Sequence, residues 1–216
     1  MKKILITHVD LDGTGCAIVF KKKYPDIEVE FRNHDTINKR TEELIREKNL
    51  YDKIYFADIT PSEEVGQQIV NDDKFVLIDH HVTQSYLEGK RTYNLDYCGV
   101  YLSAIYLFGN IEENYDLEST SLSEQEKAFI YSIDAWDTWK LNSDFRKNGE
   151  QLNFLCFYLG LENFVEEFKD FNPLEGENKI IAQVLQKQEE KYQRNKINQL
   201  VEDIDEDGNK HYKVFI

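Results

Sequence analysis

Short apolar runs alternate with longer amphipathic stretches along this chain. Residues 3–7 (KILIT) have the makings of a buried strand, and 13–24 (GTGCAIVFKKKY) follow with a helical pattern broken by Pro25-Asp26. In 27–34, Ile27, Val29 and Phe31 alternate with Glu28, Glu30 and Arg32, which predicts an edge strand. A second helix is predicted from about 36 to 49, then an apolar strand at 53–59 and a helix start at Thr60-Pro61-Ser62-Glu63-Glu64. A further strand is predicted at 74–81, a short fifth at 91–96, and a buried helix at 98–108. This βα repetition predicts an α/β fold: a doubly wound, mainly parallel sheet.

Beyond residue 110 the pattern turns helical. Ser121 and Glu124 have capping-box spacing ahead of FIYSIDAWDTWKL. In that helix Asp134 and Asp137, three apart, share a face, with Trp136 and Trp139 close enough to pack around them. Two short helices are predicted within 149–171, and a long polar helix from Pro173 to about Gln199, whose Lys/Glu-rich part reads as a solvated face. The tail 201–216 carries a hairpin signal at Asp207-Gly208-Asn209.

Composition narrows the classes. The 216 residues are 41% hydrophobic, which supports a real core. No apolar run is long enough for a membrane span, and the opening MKKILITHVD is too short in its apolar part for a secretory signal. Cys16, Cys98 and Cys156 lie far apart without CxxC spacing, so they read as buried thiols of a cytoplasmic protein. A formal charge of −15 is poorly suited to holding long duplex nucleic acid through phosphate contacts.

The chemistry gathers where predicted strands end. His8, Asp10 and Asp12 follow the first, Asp58 the third, and Asp79-His80-His81 the fourth. In a doubly wound sheet these points lie along one edge, where ligands bind. So many carboxylates in one place repel one another unless a cation joins them. Carboxylate with imidazole suits Mn2+, with Mg2+ the alternative. The ligand supply exceeds what one ion needs, and two ions about 3.5–4 Å apart, bridged by a carboxylate and a hydroxide, fit it. The expected reaction is in-line hydrolysis of a phosphate ester or anhydride.

The ordered set H-x-D-x-D-G at 8–13, Asp58, Asp79-His80-His81 and the Asp-bearing helix at 134–137 resembles the DHH phosphoesterases. Asp137-Thr138-Trp139 is most similar to the branch acting on short oligonucleotides and cyclic nucleotides. The resemblance implies that His8 and Asp10 bind one metal and Asp12 and His80 the other. Asp58 would bridge them, and Asp137 would complete the second site, with Asp134 as competing ligand. It makes Asp79 a partner that orients a histidine, and His81 a cationic contact to the substrate phosphate. It implies a catalytic domain over 1–140, a helical extension over 141–172, a linker helix over 173–200, and at 201–216 a hairpin-like tail, either the start of a truncated second domain or the whole of a reduced appendage. That second domain carries a Gly-rich motif in relatives, and no such motif occurs here. The implied substrates are short oligonucleotides or small nucleotides.

Two other readings compete. Asp10-Leu11-Asp12-Gly13-Thr14 also resembles the first motif of haloacid-dehalogenase-like phosphatases, in which Asp10 would attack phosphorus, Asp12 would act as acid/base, and one Mg2+ would assist. That leaves His8 and Asp79-His80-His81 unexplained. A reduced family member that binds nucleotide without turnover is the other. A dinucleotide fingerprint fails, because Ile18 stands where G-x-G-x-x-G needs its third glycine.

Overall fold

The computed structural model describes residues 2–110, 114–198, 200–204 and 210–214. Two units compose it, Met1–Leu174 and Glu175–Ile216.

The first unit is built on four parallel strands: β1 (Lys3–His8), β2 (Glu28–Arg32), β3 (Lys53–Ala57) and β4 (Phe75–Ile78). Their order is β2-β1-β3-β4, with Leu5 opposite Val29 on one side and Tyr55 on the other. The chain leaves β1 for β2 and then crosses back to β3, so the order reverses between β1 and β3. Ligands bind at such a reversal. Ile4, Leu5, Ile6, Ile54 and Phe56 are fully buried because β1 and β3 are covered on both faces, whereas β2 at the edge keeps partial exposure, as its alternating sequence predicts.

One sheet face, carrying Ile4, Ile6, Ile54, Phe56, Phe75 and Leu77, packs with Ile37 and Leu44 of α2 (Ile37–Glu47). The other receives α1 (Leu11–Lys23) and α4 (Gly99–Phe108): Phe20 and Tyr106 lie 4.9 Å and 6.3 Å from the Tyr55 ring. Between them α3 (Glu63–Gly66) is a single turn. Then come α5 (Glu124–Asp137), α6 (Arg146–Leu159) and α7 (Leu161–Phe168).

Three local expectations are corrected. Residues 91–96 form no strand: Asp79 and Tyr93 make one isolated bridge, because β4 ends at Ile78 and the chain turns away. The capping box lies at Ser123 and Glu126, not at Ser121 and Glu124; Leu122 is buried, so the helix opens only after it. In the second unit α8 (Gly176–Asn198) starts past Pro173, its first turn closed by the Lys179 amide on the Glu175 carbonyl.

The second unit continues into an antiparallel pair, β5 (Leu200–Ile204) and β6 (Lys210–Val214). The Asp207-Gly208-Asn209 turn lies outside the described residues. Among the described residues no helix is long and apolar enough to cross a membrane.

Candidate metal centre

The site forms because each strand ends in a turn that carries a ligand inward. After β1, Asp10 caps α1: its Oδ1 accepts the Gly13 amide at 2.9 Å, and its Oδ2 lies 2.6 Å from His8 Nδ1. Gly13 is required here, since a Cβ would stand 2.1 Å from the His8 carbonyl oxygen. Asp12, at the second position of α1, is buried and accepts the amides of Gly99 (2.6 Å) and Val100 (2.7 Å) at the start of α4.

After β3, Asp58 adopts a φ of +61°, a left-handed conformation that Asp tolerates better than most residues. It is 1% exposed. Its Oδ1 lies 3.3 Å from His80 Nε2 and its Oδ2 4.0 Å from His8 Nδ1. Beyond β4, Asp79 Oδ1 accepts the amides of His80 and His81 and faces His81 Nδ1 at 2.8 Å, while its Oδ2 accepts the Thr60 hydroxyl at 2.6 Å.

Helix α5 delivers the last carboxylate. Asp137 Oδ2 lies 3.5 Å from His80 Nε2, and Asp12 Oδ2 lies 3.6 Å from that same atom. Asp134, on the same helical face, is committed elsewhere: it accepts the Cys98 amide at 3.0 Å and pairs with Lys140. It therefore ties α5 to the start of α4.

Among the described residues three groups offer ligand atoms mutually within 4.8 Å: His8/Asp10/Asp58, Asp12/His80/Asp137 and Asp58/His80/His81. Asp134 is in none of them. Asp58 belongs to the first and third, and it touches the second through His80. Its Oδ2 is buried without a hydrogen-bond partner. An ionised carboxylate cannot stay so among other carboxylates without a cation. The donor set of imidazole and carboxylate therefore fits divalent ions.

The electrostatics reflect this crowding of like charge. Burial and then the charges of Asp12 and Asp10 push Asp58 well above the carboxylate range. Burial and Asp10 raise Asp12 to about 6, and burial and Asp12 raise Asp137 to about 7. Burial lowers His80, which favours the neutral form a metal needs. His81 goes the other way: its bond to Asp79 raises it to about 8.

Two features of this rim escape a sequence reading. The His34 ring stands 4.9 Å from His8 and 6.1 Å from His81, brought there by the end of β2. Its closeness to the strand end in RNH was the available signal. The second is the close of α5, where Trp139 amide to Trp136 carbonyl (3.4 Å) and Lys140 amide to Ala135 carbonyl (3.1 Å) form a Schellman cap. The residue in the left-handed position, φ +56°, is Trp139, where glycine is usual and a bulky side chain costs about 1–2 kcal/mol.

Comparisons with known proteins bear on the fold. No protein-family profile matches the sequence. Oligoribonuclease NrnB of Bacillus subtilis (strain 168) is 28% identical over 172 residues, covering 74% of this chain. The DHH domain of a member of a ribosomal-protein family superposes with a TM-score of 0.55 at 11% identity, covering 99% of this chain and 62% of that one. The chain resembles the DHH phosphoesterases in sequence and in fold. A crystal structure of an uncharacterized protein from Helicobacter pylori G27 shares the fold, with TM-score 0.62 and 16% identity over 91% of this chain and 62% of that one. The chain spans 42% of the length of NrnB.

Proposed function

We propose that this chain is a DHH-type two-metal phosphodiesterase acting on short oligonucleotides. The observation that carries the proposal is Asp58, a buried carboxylate whose two oxygens look toward two separate ligand groups. His8 and Asp10 would hold one ion and Asp12, His80 and Asp137 the other, with Asp58 between them. Mn2+ suits the mixture of imidazole and carboxylate better than Mg2+. Such ions supply Lewis acidity: they lower the pKa of water and neutralise charge building on the phosphoryl group.

The remaining work falls to the protein. Asp10 is pinned by the Gly13 amide and Asp12 by two α4 amides, so both carboxylates are fixed before any ion arrives. Asp79, held by Thr60, keeps His81 protonated near neutral pH. His81 Nε2–H is then free to donate to a phosphoryl oxygen and stabilise transition-state charge. The similarity to an oligoribonuclease supports short RNA as the substrate class. The phospho-aspartate alternative is disfavoured, since Asp10 is bonded to His8 and a helix amide, and that chemistry has no use for His80 and Asp137 beside Asp12.

A turnover screen tests this. Dinucleotides, five-mers, cyclic dinucleotides, 3′-phosphoadenosine 5′-phosphate and pyrophosphate are each incubated with the chain and Mn2+. Release of mononucleotides from the linear oligomers is expected, with none in excess chelator; turnover that persists in chelator contradicts the proposal.

A further inference from the structure

We propose that Trp136 and Trp139, backed by Arg146, form a stacking platform for the nucleobase that flanks the scissile phosphate. This deepens the phosphodiesterase reading and rests on it. Trp139 is 71% exposed, so it contributes little to any core. It is nonetheless held firmly, in a left-handed cap position that does not suit its side chain. Backbone conformations of this kind persist where the surroundings fix them, and they cluster at ligand contacts.

The surroundings here are specific. The Arg146 guanidinium carbon lies 4.1 Å from the Trp136 ring centroid and 4.9 Å from that of Trp139. The same guanidinium donates to the carbonyls of Ala135 (3.1 Å) and Trp136, so it is anchored to the end of α5. The two indoles are nearly parallel, 23° apart, with centroids separated by 6.3 Å. The result is an exposed Trp139 indole braced by the half-buried Trp136 ring and by the guanidinium.

Its position gives it a ligand. Asp137, whose carboxylate meets His80, is two residues before Trp139, no more than about 7 Å along the backbone. The segment that carries the indoles therefore adjoins the carboxylates that a phosphodiester would engage. The charge balance favours such a contact. A net charge of −15 works against holding phosphates by counter-charge, and stacking is a grip that needs none. Stacking also tolerates any base, because every base presents a π face. The platform thus selects for a nucleoside next to the phosphate and is indifferent to its identity.

The chain has two tryptophans, and they are this pair, so intrinsic tryptophan fluorescence reports on the platform alone. The full chain with Mg2+ is titrated with adenosine or cytidine 5′-monophosphate, and separately with ribose 5-phosphate. Saturable quenching by both nucleotides and none by the base-free sugar is expected; unchanged fluorescence with the nucleotides overturns the proposal. In turnover with Mn2+, Trp139→Ala should raise KM for a dinucleotide about tenfold to a hundredfold, leave KM for an abasic analogue unchanged, and be largely rescued by Trp139→Phe. An equal rise for the abasic analogue would mark a structural role and overturn it too. Quenching is read without cleavage. A chain that is quenched yet cuts nothing refutes the phosphodiesterase reading, whereas one that cuts without quenching refutes the platform.

Discussion

Asp12 Oδ2 lies 2.6 Å from the amide nitrogen of Gly99, joining the second residue of α1 to the first residue of α4 across 87 positions of sequence. The start of a helix leaves amides without partners, and here two carboxylates from other elements take them: Asp12 receives Gly99 and Val100, and Asp134 receives Cys98. The helix end thereby fixes one candidate ligand and favours its negative charge.

Gly99 is the weak point of that arrangement. A Cβ there would stand 2.5 Å from Asp58 Cβ and 2.9 Å from Asp12 Oδ2. Gly99→Ala should displace both carboxylates, destabilise the fold and lower divalent-metal affinity by about tenfold to a hundredfold, the range typical of residues that support ligands. Calorimetric titration with Mn2+ and thermal melting check both effects.

Asp134 and Asp137 should separate cleanly. Asp137→Asn is expected to abolish binding of one ion and reduce turnover by about a hundredfold or more, with no loss of metal-free stability. Asp134→Asn should retain both ions and lose about 1–3 kcal/mol of stability, because a buried amide and Lys140 lose their charged partner. Metal stoichiometry and denaturant midpoints of the two variants decide it.

This pair also marks the limit of what the sequence reveals. Strand-ending acids at 8–12, 58 and 79–81 were legible because a doubly wound sheet must bring its strand ends to one edge. The choice between Asp134 and Asp137 was not, since helical spacing puts both on one face and only the start of α4 claims one of them. His34 was missed although it follows the strand end in RNH, because only the register of β2 beside β1 brings it to His8. The strand expected at 91–96 dissolved into one bridge. The capping motif occurs twice in SLSEQE, and the burial of Leu122, a tertiary fact, selects the later one.

The metal-free chain should lose stability as pH rises. Asp12, Asp58 and Asp137 have pKa values raised above their unfolded ones, to about 6 for Asp12 and about 7 for Asp137. The folded state therefore binds more protons than the unfolded one above about pH 4, and stability falls as these groups ionise. His81, raised to about 8, adds to the fall through that pH, while His80, lowered by burial, opposes it below about 6.5. Melting of chelated protein is expected at a lower temperature at pH 8 than at pH 5, with Mn2+ reversing the order. Equal melting temperatures in chelator would contradict the crowding of charge described above.

Asp79 should act through His81. Asp79→Asn removes the carboxylate that holds the imidazole at about 8, so the His81 pKa should drop toward about 6.5. Proton NMR titration of the histidine ring signals reads the shift directly. The alkaline limb of the turnover profile should move down with it while metal stoichiometry stays unchanged.

Anomalous diffraction from crystals grown with Mn2+ addresses the arrangement at its root. Two peaks are expected about 3.5–4 Å apart, one bounded by His8, Asp10 and Asp58 and the other by Asp12, Asp58, His80 and Asp137. A single peak that leaves Asp58 unliganded, or no peak among these residues, would contradict it.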